Sequence, residues 1–303
     1  MRRATLRHFG SALLVLMGFD AAPLGAQVVP APSQQATHSF HAKVDEAVRA
    51  FANEPAFKRI AAEKRLALVE FVVGNVLFVA AQEMGHALIA EMGLPVLGRE
   101  EDAADEFAVL TALQHGEKDF SARVLIESAE GWFMDARRDK KIGDKPTYYD
   151  EHGVNEQRGY QIVCLVFGSN PVRFKELADE TQLPDDRRRT CAWDYDTASR
   201  SWETVLAPHR RTVDQPKVQI QVNYGDIKGA LALYAETFRA LRFLETIAEL
   251  AADRFAWRAP IAMEMRSCGE VGAKCIISTR TLRICYEMAQ NFAELYRDYA
   301  QSR

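Results

Sequence analysis

The sequence predicts a mainly α-helical domain carrying a small antiparallel sheet, an α+β class. Three observations lead there. Apolar residues recur at helical spacing, with breaks at turn formers, through most of residues 42–206. The segment Glu70–Gly93 is apolar on nearly all sides up to Ala81, as a helix at the centre of a core must be. After Pro208 three short stretches combine apolar character with polar alternation, the period of strands.

The elements follow in order. Residues 42–68 read as helical with a break near Pro55. The apolar helix Glu70–Gly93 is stopped by Gly93 and Pro95. A helix from Arg99 to about Gln114 carries acidic residues in its first turn, where the helix dipole favours them. A third helix covers Ser121–Arg138, and KKIGDKPTYYDEHG is a loop rich in turn formers. Helices resume over Glu156–Phe167, Pro171–Glu180 and Asp185–Leu206; the charge run DDRRR at Asp185–Arg189 reads as a solvated helix start. Strands are expected at Lys217–Tyr224, Ile261–Cys268 and Thr281–Glu287, with one long helix over Ile227–Trp257 and a last helix at the C-terminus. No internal repeat is visible.

The N-terminus has the order of a secretory signal: basic MRRATLRH, the apolar run Phe9–Phe19, then small residues. That run is about half the roughly 20 residues a membrane span needs. The expected organisation is a signal peptide over 1–26, cleaved after Ala26, a flexible leader over 27–40, and one domain over 41–303, exported to the periplasm or secreted, with no membrane span after cleavage. Residues 1–26 hold three Arg and one Asp, so the remainder has 35 basic and 41 acidic residues, a net charge of about −6. A mildly acidic chain has no electrostatic reason to bind nucleic acid. None of the five cysteines forms a C-x-x-C pair, which argues against a zinc knuckle. In an oxidising compartment the local pairings are Cys164–Cys191 and Cys268–Cys285 with Cys275 left over, although Cys275 is also placed to displace either partner of the second pair.

The chemistry concentrates in residues 82–105, QEMGHALIAEMGLPVLGREEDAAD. In H-E-x-x-H, two histidines one turn apart hold zinc and the Glu between them activates water. Here the end of that pattern is Glu83 and His86, and the first His position holds Gln82. Glu101 and Asp105 follow as E-x-x-x-D, one turn apart on one helix face. In the glutamate-type zincins that pattern supplies a third ligand and an Asp that orients a ligand His. Buried charges in so apolar a helix need partners or a metal. The candidate set is therefore Glu83 as general base and His86, Glu101 and Gln82 as metal ligands, with Asp105 as their support. The Glu101 carboxylate is expected within a few ångströms of His86, with Asp105 facing Gln82. A neutral amide oxygen is a poor zinc ligand beside an imidazole. Gln82 would serve only by giving its oxygen to the metal and its N–H to Asp105.

These motifs resemble a bacterial family known only as putative metallopeptidases of unknown function. The resemblance runs from Gly85 to Asp105 and continues through YYDEHGVNEQRGYQIVCLVFGSNP (Tyr148–Pro171), CAWDY, SCGEVGA and ICYEM, about 200 residues in all. It implies a zincin-like fold, a zinc cofactor, and hydrolysis of a peptide or protein substrate. His152 then becomes a second catalytic candidate, stabilising an oxyanion or contacting substrate; capping a helix or sitting in solvent are the alternatives. Arg158 becomes a candidate to pair with an acid near the site. The chain departs from the family pattern at Gln82, at Gly272 in place of an Asn, and at Lys274 and Cys275 in place of an aromatic pair. The departure at Gln82 implies a second reading, an impaired pseudoenzyme that binds a peptide or protein partner without cutting it.

Overall fold

A computed structural model describes residues 61–115 and 118–301, together with Arg49. The expected signal peptide, leader and most of the helix over 42–68 lie outside the described residues. From residue 61 onward the described residues open with the helices α1 (Ala62–Met92), α2 (Glu100–His115), α3 (Lys118–Ile142), α4 (Asn155–Ser169), the short α5 (Lys175–Glu180) and α6 (Asp185–Leu206). The second half runs β1 (Ile220–Tyr224), α7 (Ala232–Ala240), α8 (Phe243–Arg254), β2 (Ile261–Arg266), β3 (Ala273–Ile276), β4 (Thr281–Cys285) and α9 (Tyr286–Gln301).

The 31-residue α1 is the axis of the domain. It is long and apolar enough to cross a membrane, but 72% of its apolar window is buried by the rest of the chain, so it is a core helix here. Leu68, Val69, Phe71, Val72, Val76 and Leu88 along it are all at most 1% exposed. It packs against α2, α3, α9 and the sheet. Burying apolar surface on every side requires its few polar groups to be matched individually. Asn75 shows how: its side-chain amide donates to the carbonyls of Phe71 (2.9 Å) and Glu127 (3.0 Å), tying α1 to α3. Gly93 ends the helix in the left-handed conformation (φ 65°), as the sequence predicts. Gly85 faces α2, where a Cβ would sit 3.2 Å from the Ala104 backbone, so glycine lets the two helices approach closely.

The sheet corrects the expected topology. Its order is β1-β2-β4-β3; β1/β2 and β2/β4 are parallel, and only β3/β4 is antiparallel. The sheet is therefore mixed. The physical reason lies between β1 and β2, where α7 and α8 form a helical crossover, and a crossover returns the chain in the same direction. β3 is an edge strand that the sequence reading misses; four residues, AKCI, are too few to show a period. The single helix expected over Ile227–Trp257 is broken at Leu241–Arg242, where Arg242 adopts a left-handed conformation (φ 51°). The strand expected over Thr281–Glu287 ends at Cys285, and α9 takes Tyr286 onward.

Both cysteine pairs form as the spacing suggests. Cys164–Cys191 joins α4 to α6, and Cys268–Cys285 joins the loop after β2 to the end of β4. Cys275 is free. Two disulfides fit an oxidising compartment, extracellular or periplasmic.

Candidate metal centre

The site lies where α2 returns across α1. The turn GLPVLG reverses the chain, and the first turn of α2 then presents Glu100 and Glu101 to the Gln82–His86 turn of α1. The acids at this helix start therefore serve two purposes: they suit the α2 dipole and they meet His86.

One atom organises the cluster. Glu101 Oε2 receives the side-chain amide of Gln82 at 3.0 Å and stands 3.2 Å from His86 Nε2 and 2.9 Å from His152 Nε2. Three side chains from α1 and the loop before α4 thus converge on one carboxylate of α2. Each imidazole is also held at its other nitrogen. His86 Nδ1 is 2.9 Å from Glu100 Oε1, and His152 Nδ1 is 3.2 Å from Asp150 Oδ1. Asp150 Oδ1 further accepts the backbone N–H of His152 at 2.9 Å, fixing the loop.

Glu83 is on α1, 7% exposed. Burial raises its pKa to about 7, helped by the charge of Glu101 and opposed by His86, His152 and a hydrogen bond from the backbone of Cys275 in β3. For His86, burial disfavours the protonated form, but hydrogen bonds with Glu101 and Glu100 outweigh it and raise the pKa to about 9. Glu101 shows the complementary balance: burial favours its neutral form, while His152 and His86 hold its carboxyl well below the usual range. His152 is raised chiefly by its bond to Glu101.

Asp105 departs from expectation. It does not face Gln82 through a hydrogen bond; it forms a bidentate pair with Arg158, both contacts 2.8 Å, with the two side chains 6% and 7% exposed. The Arg158 guanidinium also lies 3.7 Å from the ring centre of Trp132. A guanidinium matches a carboxylate fork better than an amide does, so Arg158 captures Asp105 and ties α2 to α4. The Gln82 N–H goes to Glu101 instead. The acid partner expected for Arg158 is thus Asp105 itself.

Two features escaped the sequence reading. The convergence of His152 on Glu101 depends on a loop whose path no periodicity encodes. The backbone contact from Cys275 comes from the unpredicted strand β3. Cys268, Cys285 and Glu287 form another compact donor cluster, but both sulfurs are in the disulfide and offer no thiolate. An apolar cavity of about 160 Å³ opens on the side of α1 that carries Leu77, Ala81 and Met84, away from the Gln82–His86 face.

Two imidazole nitrogens and a carboxylate oxygen are donors that zinc accepts, and a buried carboxylate beside them suits proton transfer. The residues therefore fit a zinc ion in donor type, with Glu101 Oε2 standing between the two rings.

Among known proteins, a family model described as "Putative metallopeptidase", a domain of unknown function, matches residues 41–206, more than half of the chain. That span includes every residue of the cluster around Glu101. No curated protein and no solved structure matches the chain.

Proposed function

The chain belongs to this metallopeptidase family, and from that premise we propose that it is an exported, zincin-like hydrolase of peptide bonds that works with zinc. The observation that carries the reading is the meeting of His86 Nε2 and Glu101 Oε2 at 3.2 Å, with buried Glu83 one turn of α1 away on the same side. Bound zinc supplies a Lewis acid and lowers the pKa of a coordinated water. His86 and Glu101 would hold it. Glu83 takes the proton of the attacking water and returns it to the leaving nitrogen, so the net reaction adds water across one peptide bond. The Arg158–Asp105 pair keeps α2, and so Glu101, in place against α1 and α4.

The specific observation behind the second reading is Gln82. Its amide stands where a zincin has its first imidazole, and it donates to Glu101 rather than offering a nitrogen lone pair. On this reading the cleft binds a peptide without cutting it.

Incubating a peptide library with zinc-loaded wild type and with Glu83→Gln, then reading new termini by mass spectrometry, separates the two. The first reading expects cleavage by the wild type and a loss of roughly 10²–10⁴-fold in Glu83→Gln. Equal cleavage by both proteins removes Glu83 from the reaction. No cleavage by a protein that retains zinc leaves the binding reading.

A further inference from the structure

We propose that His152 supplies the imidazole that position 82 lacks, so that the cation is held by His86, Glu101 and His152. The inference rests on the metallopeptidase reading above and gives His152 a role other than contact with substrate.

The two rings converge on one oxygen. His152 Nε2 is 2.9 Å from Glu101 Oε2, closer than His86 Nε2 at 3.2 Å, so both rings direct the same nitrogen at the same carboxylate oxygen. Two imidazole nitrogens and one glutamate oxygen, with a position left for water, form a donor set known for catalytic zinc. Both rings are also held at the opposite nitrogen. A histidine that binds a metal through one nitrogen characteristically gives its other N–H to a carboxylate, which fixes tautomer and orientation. Both histidines meet this condition, His86 through Glu100 and His152 through Asp150. A histidine that merely caps a helix or faces solvent has no need of two carboxylates on opposite ring nitrogens.

The loop that carries His152 is braced on both sides of the ring. His152 is 43% exposed, yet its backbone N–H is tied to Asp150. Three residues on, Asn155 donates to Asp135 (3.2 Å) and Asp139 (2.8 Å), anchoring the start of α4 to α3. The loop is therefore built to present this ring. Gln82 then acts differently. Its N–H on Glu101 orients the carboxylate, which makes it a positioning residue.

The test is zinc and cobalt binding to the purified, metal-stripped chain, by chelator competition and by the visible absorption of Co²⁺. Wild type should bind one equivalent. His152→Ala should lose at least 100-fold in affinity and change the cobalt spectrum, while Gln82→Ala, which removes only an orienting hydrogen bond, should lose about 10-fold. Because the ring sits on a partly exposed loop, circular dichroism should show His152→Ala folded as the wild type, and His152→Gln provides a bulkier second variant. His152 variants that bind as tightly as wild type overturn the assignment and leave the metallopeptidase reading intact. A wild type that binds no ion also overturns it. In that event Gln82→His decides the wider reading: binding restored by that change keeps the His86–Glu101 site, and none in either protein removes it.

Discussion

Replacing Arg158 by Met should be the most damaging single change near the site. The two hydrogen bonds to Asp105 are both 2.8 Å, and both side chains are almost wholly buried. Met keeps the aliphatic volume against Trp132 but leaves the Asp105 carboxylate in a low-dielectric interior without its partner. Removing one member of a buried pair costs about 3–5 kcal/mol. The lost stacking on Trp132 falls within that figure and is not added to it. For a domain of this size about 1 kcal/mol corresponds to roughly 2–4 °C, so Tm should fall by about 6–20 °C. Urea unfolding followed by circular dichroism at pH 7, with the disulfides intact, gives the free energy directly. The companion double variant, Arg158→Met with Asp105→Leu, removes the stranded charge and should recover at least half of the loss, about 2 kcal/mol. A loss below about 1 kcal/mol in Arg158→Met, or a double variant no better than the single one, would refute the claim that this pair locks α2 to α4.

Other perturbations have equally definite outcomes. Gly168 lies where α4 meets α6, and a Cβ there would stand 2.1 Å from the Cys191 carbonyl oxygen. Gly168→Ala should therefore force the helices apart and destabilise by about 1–3 kcal/mol, read from the urea midpoint; an unchanged midpoint would contradict so close a contact. Replacing Cys164 and Cys191 together by Ser should cost about 2–4 kcal/mol, and equal stability of the oxidised wild type and the variant would count against that clamp. Glu127 on α3 has its pKa raised to about 8, chiefly by burial and then by Glu130 and Glu70. An acid with a raised folded pKa binds more protons folded than unfolded between about 4.5 and 8. Its contribution is thus complete below pH 4.5 and is lost as pH climbs through 8. Glu127→Gln should flatten the decline in stability between pH 5 and 8.5 by about 1–3 kcal/mol; an equally steep decline in the variant would assign it to other groups. Gln82→His trades the hydrogen bond to Glu101 for an imidazole one turn from His86 and should tighten zinc by at least about 10-fold net; unchanged or weaker affinity would show that an imidazole at position 82 does not reach the ion.

The helical half was legible because its signals are local. Gly93 and Pro95 stop α1, acids start α2, and the apolar girdle up to Ala81 marks a core helix whatever surrounds it. The Glu101–His86 contact was legible for a related reason: a tight turn between two helices leaves few ways to place E-x-x-x-D. What the sequence could not show depends on contacts distant along the chain. The capture of Asp105 by Arg158 is a competition between two donors, and it is decided by fork geometry 53 residues away. The approach of His152 rests on the course of the loop over residues 143–154. The antiparallel expectation conflicts with a local signal, since a helical segment between two strands implies the parallel pair that β1 and β2 form.

The most direct measurement is a crystal of the chain soaked in zinc, with anomalous diffraction recorded at the zinc edge. One strong peak is expected, about 2.0–2.2 Å from His86 Nε2, from a Glu101 carboxylate oxygen and from His152 Nε2. A peak at some other cluster, or none at His86 when the crystal was grown and soaked with zinc in excess, would contradict the metal-centre reading on which the proposed hydrolysis depends.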